Sequence, residues 1–179
     1  GMAAVLTTLP TPDAILQLHA AAIGPDAAGY GHHAYRVANF CWYLHPGSDD
    51  EREKLCIAVA FHDLGIWTAG TFDYLPPSII LADAYLHAHD RTHWRGEITA
   101  MIDLHHKLTR ASVSPRVEAF RRADWIDVSG GMLRYGVPRA FIRDVQARFP
   151  DAGFHRRLLA LGLHRLRHHP WAPLPMMRW

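Results

Sequence analysis

The sequence predicts an all-α protein, and three observations carry that expectation. Helix-starting and helix-stopping residues recur along the chain at helical intervals. Apolar residues between them repeat at i, i+3, i+4 and i+7 rather than in alternation. No stretch shows the period-2 pattern of a half-buried strand. The 179 residues, 49% of them apolar and 20% charged, suit a globular chain with a proper core. They are read as one domain, 1–179, with no repeat or linker to divide it.

The elements follow from their punctuation. Thr11-Pro12 opens a first helix, closed at Gly24. A second runs from about His32 to Leu44 and stops at His45-Pro46-Gly47. Ser48 and Glu51 make a capping-box pattern for a third, which reaches His62-Asp63 and ends near Gly65. Pro76-Pro77-Ser78 begins a fourth, lasting to about Asp90, and Thr92 caps a fifth through Leu108. Ser114-Pro115 opens a sixth, to about Val128, broken by Gly130-Gly131. Shorter helices are expected near 138–148 and 152–168. The three prolines between Pro170 and Trp179 predict an extended tail lying on the core, a dimer partner or the site.

Net charge is only +2, too small a basic excess for a dedicated binder of duplex nucleic acid. No apolar run approaches a membrane span of about 18 residues or more, so no membrane partner is expected and the expected compartment is cytoplasmic. Cys41 and Cys56 match no metal or redox spacing and fit small buried hydrophobes. The informative excess is histidine, 14 residues of it, the commonest metal ligand.

Helical spacing sorts these histidines. His33 heads the stripe Val37, Phe40, Cys41, Leu44; His62 shares a face with Leu55 and Val59, and Asp63 stands beside it. Ile98, Met101, Ile102 and His105 follow one stripe, which turns His105 inward and its neighbour His106 away. Asp124 falls on the stripe of Val117 and Phe120, where an apolar residue belongs. A lone buried carboxylate costs several kcal/mol unless paired, and a divalent cation pairs such carboxylates and uses the imidazole lone pairs together. The pattern therefore predicts a metal ion held by His33, His62, Asp63 and Asp124.

Four segments carry a family resemblance: His33-Ala-Tyr-Arg36-Val37, Ala60-Phe61-His62-Asp63-Leu64-Gly65, Met101-Ile102-Asp103-Leu104-His105-His106, and Arg122-Ala123-Asp124-Trp125. In order and helical setting they resemble the HD-domain superfamily of metal-dependent phosphohydrolases, over about residues 30–130, with 131–179 as C-terminal helices and tail. The resemblance implies a helical bundle whose core metal is ligated by those four residues. It also implies, in dinuclear members, a second ion bridged by Asp63. His105 is the candidate ligand for it, joined by His87 on the stripe Ile80-Ala84-His87, with His89 and His93 as competitors. The chain departs from two branches: Ile66 stands where they carry a lysine or an acid, Lys107 follows the double histidine in place of an acid, and Gly-Tyr-Pro is absent. The closest resemblance is to small stand-alone HD-domain proteins.

The function this implies is hydrolysis of a small phosphorylated or nucleotide-like substrate by metal-activated water. Asp63 and His105 are the candidate catalytic groups, His105 as second ligand or general acid. Lys107 and Arg110 are candidates for substrate phosphate. Mn, Fe, Mg, Zn, Ni and Co suit this donor set alike. Two other classes fit: a di-iron HD-fold oxygenase or hydratase, and a non-catalytic metal-binding module. A homodimer is compatible with either. Arg36 is expected to pack or to form an ion pair behind the site, and Asp127, one turn past Asp124, to support it. Trp67, Trp94 and Trp125 lie near the motifs.

Overall fold

A computed structural model describes residues 3–178, so Trp179 at the end of the expected tail lies outside the described residues. The chain folds as α1 (Pro10–Leu18), α2 (Ala20–Ile23), α3 (Ala27–Leu44), α4 (Asp49–Phe61), α5 (Gly65–Thr68), α6 (Leu75–Ala88), α7 (Arg95–Leu104), α8 (Pro115–Val128), α9 (Arg139–Arg148) and α10 (Phe154–His168). No strand occurs among the described residues, and one isolated bridge joins Lys107 to Arg178.

Local chemistry accounts for the boundaries. Ser48 accepts from the Glu51 N–H while the Glu51 carboxylate accepts from the Ser48 N–H, the expected capping box of α4. Ser114 caps α8 by accepting from the Val117 N–H, with Pro115 in the first turn. Pro46 forces His45 out of helical geometry, to φ −149°, and so ends α3.

Three boundaries differ from the sequence reading. The first helix breaks at His19 into α1 and α2. The second begins at Ala27, five residues ahead of His32, in spite of Gly29 and Gly31. Packing overrides propensity there: a Cβ on Gly29 would meet the Ala152 carbonyl at 3.2 Å and Phe154 Cβ at 3.4 Å, so the glycine admits the start of α10 against α3. The fifth helix opens with a 3-10 turn, Thr92–Trp94, and α7 stops at Leu104 rather than Leu108. α5 was not expected at all.

The helices α3, α4, α7 and α8 pack around one core, with α6 against α4 and α7. α4 is its central element: every residue from Leu55 to Phe61 is buried, so its sequence reads apolar on all sides. Phe40, Phe61 and Phe120 are fully enclosed. Each ring buried this way contributes on the order of 3–5 kcal/mol against its truncation to alanine. The tail is tied to the body by the Leu108 N–H donating to the Arg178 carbonyl at 2.7 Å, and Met176 is buried under it. Of the coverings open to the tail, it takes the segment after α7.

Candidate metal centre

Five elements deliver the site. α3 carries His33; the end of α4 carries His62 with Asp63 in the turn beyond; the end of α7 carries His105 and His106; α8 carries Asp124 and Asp127. All seven are buried, and His33, His62, His105 and Asp124 have no exposed surface. Asp63 is held in its turn by its backbone N–H, which donates to the Tyr30 hydroxyl at 3.2 Å. Tyr30 in turn donates to the Ala60 carbonyl at 2.7 Å.

The donor atoms converge. His33 Nε2 lies 2.9 Å from His62 Nε2, 3.0 Å from Asp63 Oδ2 and 3.4 Å from Asp124 Oδ1. His62 Nε2 lies 3.2 Å from Asp63 Oδ2 and 3.6 Å from Asp124 Oδ1. One donor atom from each of the four residues falls within 4.8 Å of all the others. Ligands at about 2.1 Å from one cation and at right angles to each other stand about 3 Å apart, and most of these separations are of that size.

The proton positions point the same way. His62 Nδ1 donates to the Val59 carbonyl at 2.7 Å and His105 Nδ1 to the Ile102 carbonyl at 2.6 Å. A carbonyl can only accept, so both rings carry their proton on Nδ1 and turn an Nε2 lone pair inward. His33 does the same through Asp127 Oδ2 at 2.6 Å. Arg36 holds Asp127 from behind, Nε to Oδ1 at 2.5 Å and Nη2 to Oδ2 at 3.1 Å. This carboxylate behind the imidazole is the usual device for orienting a metal-ligating histidine.

Asp124 is the carboxylate of the cluster with no hydrogen bond. Neither carboxylate oxygen accepts a hydrogen bond, although both are buried. The nearest imidazole nitrogens, 3.2–3.6 Å away on His33, His62 and His106, are not aligned to donate to it. An orphaned buried carboxylate costs several kcal/mol. A cation at the convergence point satisfies it, and a donor set of two carboxylates and imidazoles suits a divalent metal. The residues present therefore fit a metal ion.

The electrostatics agree. Burial pushes the His62 imidazole down, but the Asp63 charge and the Asp124 and Asp63 carboxylates beside it outweigh that and lift it to about 9. His33 is depressed by burial and raised well above its ordinary value by Asp124, Asp127 and Asp63. Burial raises Asp63 and Asp124, and the surrounding imidazoles more than reverse this, leaving both low. The carboxylates that draw protons onto these rings would hold a divalent cation in their place.

A second group adjoins the first through Asp63. Its Oδ2 faces His33 and His62, while Oδ1 lies 3.2 Å from His105 Nε2. Asp63, His105 and His106 form a further set of donors within 4.8 Å of one another. His106 Nδ1 is 3.2 Å from Asp124 Oδ2, and its Nε2 is 2.6 Å from the Tyr74 hydroxyl. Burial, together with the neighbouring His105, pushes His106 down to about 4, so it is neutral at pH 7.

Among the expected site residues, His33, His62, Asp63, Asp124 and His105 come together. His87 does not. The buried face of α6 is Leu75, Ser78, Ala82 and Leu86, so the stripe of Ile80, Ala84 and His87 faces solvent. His106, read as turned away, points inward instead. α7 ends at Leu104, and outside a helix two adjacent side chains need not diverge by 100°. Lys107 and Arg110 lie outside the cluster. Lys107 Nζ turns to Thr109 while its carbonyl accepts from Arg121 and Trp125, and Arg110 is exposed beside Ser114 at the start of α8. Arg36 and Asp127 hold the roles expected of them. Arg122, like Arg121, pairs with Glu118. Trp125 stands edge-on to His106 at 6.2 Å, while Trp94 is buried away from the site. Tyr74 and Phe154, whose ring stacks on His33 at 4.2 Å, had no motif to mark them.

Compared with family models, curated proteins and solved structures, the chain matches none.

Proposed function

We propose that this protein is a metal-dependent hydrolase of small phosphorylated or nucleotide-like molecules, related to the HD-domain superfamily. The observation that carries the reading is Asp124: a buried carboxylate with no hydrogen bond, facing the inward lone pairs of His33 and His62. His33, His62, Asp63 and Asp124 would hold the ion. When bound, it supplies a lowered pKa for water and polarisation of a phosphoryl oxygen.

The chain's own groups divide the remaining work. Asp127 fixes the tautomer of His33, and Arg36 keeps Asp127 ionised and oriented. His105 donates from Nδ1 to the Ile102 carbonyl, and its Nε2 faces Asp63 Oδ1, donating to that carboxylate without metal and free to join it as a ligand when an ion is bound. The proton nearest the open side belongs to the Tyr74–His106 pair, where a hydroxyl and an imidazole share a 2.6 Å hydrogen bond. His106 and Asp63 keep most of the little exposed surface the cluster has.

The test is metal content of protein purified without chelator, followed by turnover of p-nitrophenyl phosphate with each divalent ion. Binding of one or two ions and metal-dependent release of p-nitrophenol are expected. Asp124→Asn should lose both while keeping its helical content. Full metal occupancy in that variant would sink the ligand assignment, and metal binding without turnover of any phosphoester would leave a non-catalytic module. A second reading rests on Asp63, whose two oxygens face different imidazoles as a bridging carboxylate would. Two irons and oxygen consumption would favour a di-iron oxygenase instead.

A further inference from the structure

A cleft of about 320 Å³ opens between residues 66–72 and α10, apart from the metal cluster. Its two walls differ in chemistry. One is aromatic, made by Trp67 and Phe72; the other is the face of α10 that carries Arg157, His164, Arg165 and His168. Those four positions stand at i, i+7, i+8 and i+11, one side of a helix, so these side chains line the cleft together.

Little acidic charge offsets that wall. From Ala152 to Trp179 the sequence has five arginines and four histidines and no aspartate or glutamate. Asp26 is the acid at the rim, and it is engaged: its Oδ2 accepts from Trp67 Nε1 at 2.8 Å and from Arg157 Nε at 3.1 Å. Arg157 thereby keeps its terminal nitrogens free to turn into the cleft. Arg165 is fixed the same way, its Nε donating to the Ala172 carbonyl at 2.9 Å. Both guanidiniums are pre-oriented by one bond each, which leaves their forks for an oxyanion. His164 and His168 lie beside them, their rings in tilted contact at 4.3 Å. On the opposite wall Trp67 is braced by Tyr30, ring centroids 4.8 Å apart, so its indole is a fixed platform.

We propose that this cleft binds a phosphorylated aromatic ligand of the nucleoside diphosphate class, its ring on Trp67 and Phe72 and its phosphates on Arg165, His168 and their neighbours. Stacking and phosphate capture need different walls, and the cleft supplies both at a volume that suits a small ligand. The site does not depend on what the metal centre does. None of the cluster residues lines the cleft, while Phe154, the first residue of α10, stacks on His33 and ties the two mechanically.

Calorimetry on the full chain, stripped of metal with chelator, tests this with ADP, inorganic pyrophosphate and adenosine as probes. ADP should bind more tightly than adenosine, and the difference should shrink as salt rises. Arg165→Gln should weaken ADP by about tenfold or more, the loss of one charge-assisted fork. His168→Ala, at an exposed position, should weaken it by less and cannot act by unfolding the core. Asp124→Asn should leave ADP affinity unchanged. Adenosine binding as tightly as ADP, or ADP affinity indifferent to both cleft variants, would overturn the proposal. So would loss of ADP binding in Asp124→Asn, which would move the ligand to the metal cluster. If metal never binds but ADP does, the hydrolase reading fails and the cleft stands. Hydrolysis of ADP by metal-loaded protein that Arg165→Gln abolishes would make the ligand a substrate, and binding without turnover would make it an effector.

Discussion

Asp127 shows how much of the centre rests on a residue that touches no ion. It accepts from His33 Nδ1 and from Arg36, so its removal frees the ring and strands a buried guanidinium at the same time. Asp127→Ala should reduce metal affinity by about 10–100-fold, as loss of an orienting carboxylate does elsewhere. It should also cost about 3–5 kcal/mol in urea unfolding, because Arg36 is left buried and unpaired. Arg36→Met keeps the carboxylate on His33 and removes only the cation behind it, so metal affinity should fall less than in Asp127→Ala. Equal loss in both would show that Asp127 orients the imidazole only while Arg36 holds it. At this scale the sequence was legible where a polar residue broke an apolar stripe, as at His33, His62 and Asp124. His106 escaped because stripe arithmetic holds only inside a helix, and α7 ends before it. His87 was misplaced because α6 is apolar on several faces, with Ile80 exposed, so its stripe has no unique direction.

Elements are positioned by close approaches as much as by propensity. Gly65 opens α5, and a Cβ there would sit 2.4 Å from the Tyr74 carbonyl and 2.9 Å from Ser78 Oγ. Its own N–H donates to that same Ser78 hydroxyl at 2.9 Å. Gly65→Ala must therefore push the start of α6 away, at a cost of about 1–3 kcal/mol in thermal or urea unfolding. Because Tyr74 precedes α6 and bonds His106, the variant should also disturb the proton pair at the open side of the cluster. A normal melting temperature in Gly65→Ala would mean that α5 and α6 can part freely. The sequence marked Gly65 only as a helix stop. What it does there depends on a chain segment ten residues away, which no local pattern encodes. The capping boxes and first-turn prolines, by contrast, act within four residues and were readable directly at Ser48 and Ser114.

For the whole molecule, the question is how stability couples to charge. Two buried networks respond to acid, and one is far from the metal. Burial raises the Glu118 carboxyl, but hydrogen bonds from Arg121, the Ala111 N–H and Arg122 outweigh it and hold the group at about 2, below its ordinary 4.5. A carboxyl depressed in the folded state stabilises it above the unfolded pKa, and that contribution fades as pH falls from about 4.5 through about 2. Glu118→Gln should thus be less stable than the parent at pH 7, with the gap closing toward pH 3. Urea unfolding in chelator, which removes the metal's own pH dependence, measures it. A gap that stays constant with pH would mean that Glu118 acts by packing alone.

A bound metal would supply the larger coupling, because the residues that could hold it come from three separate helices and the turn after α4, so only the folded chain assembles them. An ion that binds the native state alone stabilises it by about 2.7 kcal/mol at a hundredfold excess over its Kd. The melting temperature should therefore climb with divalent ion concentration in the parent protein and fall back on chelation. In Asp124→Asn the dependence should vanish, because the variant keeps the helices but loses the carboxylate that all three of His33, His62 and His106 face. A metal dependence that survives the substitution would place the ion elsewhere in the fold.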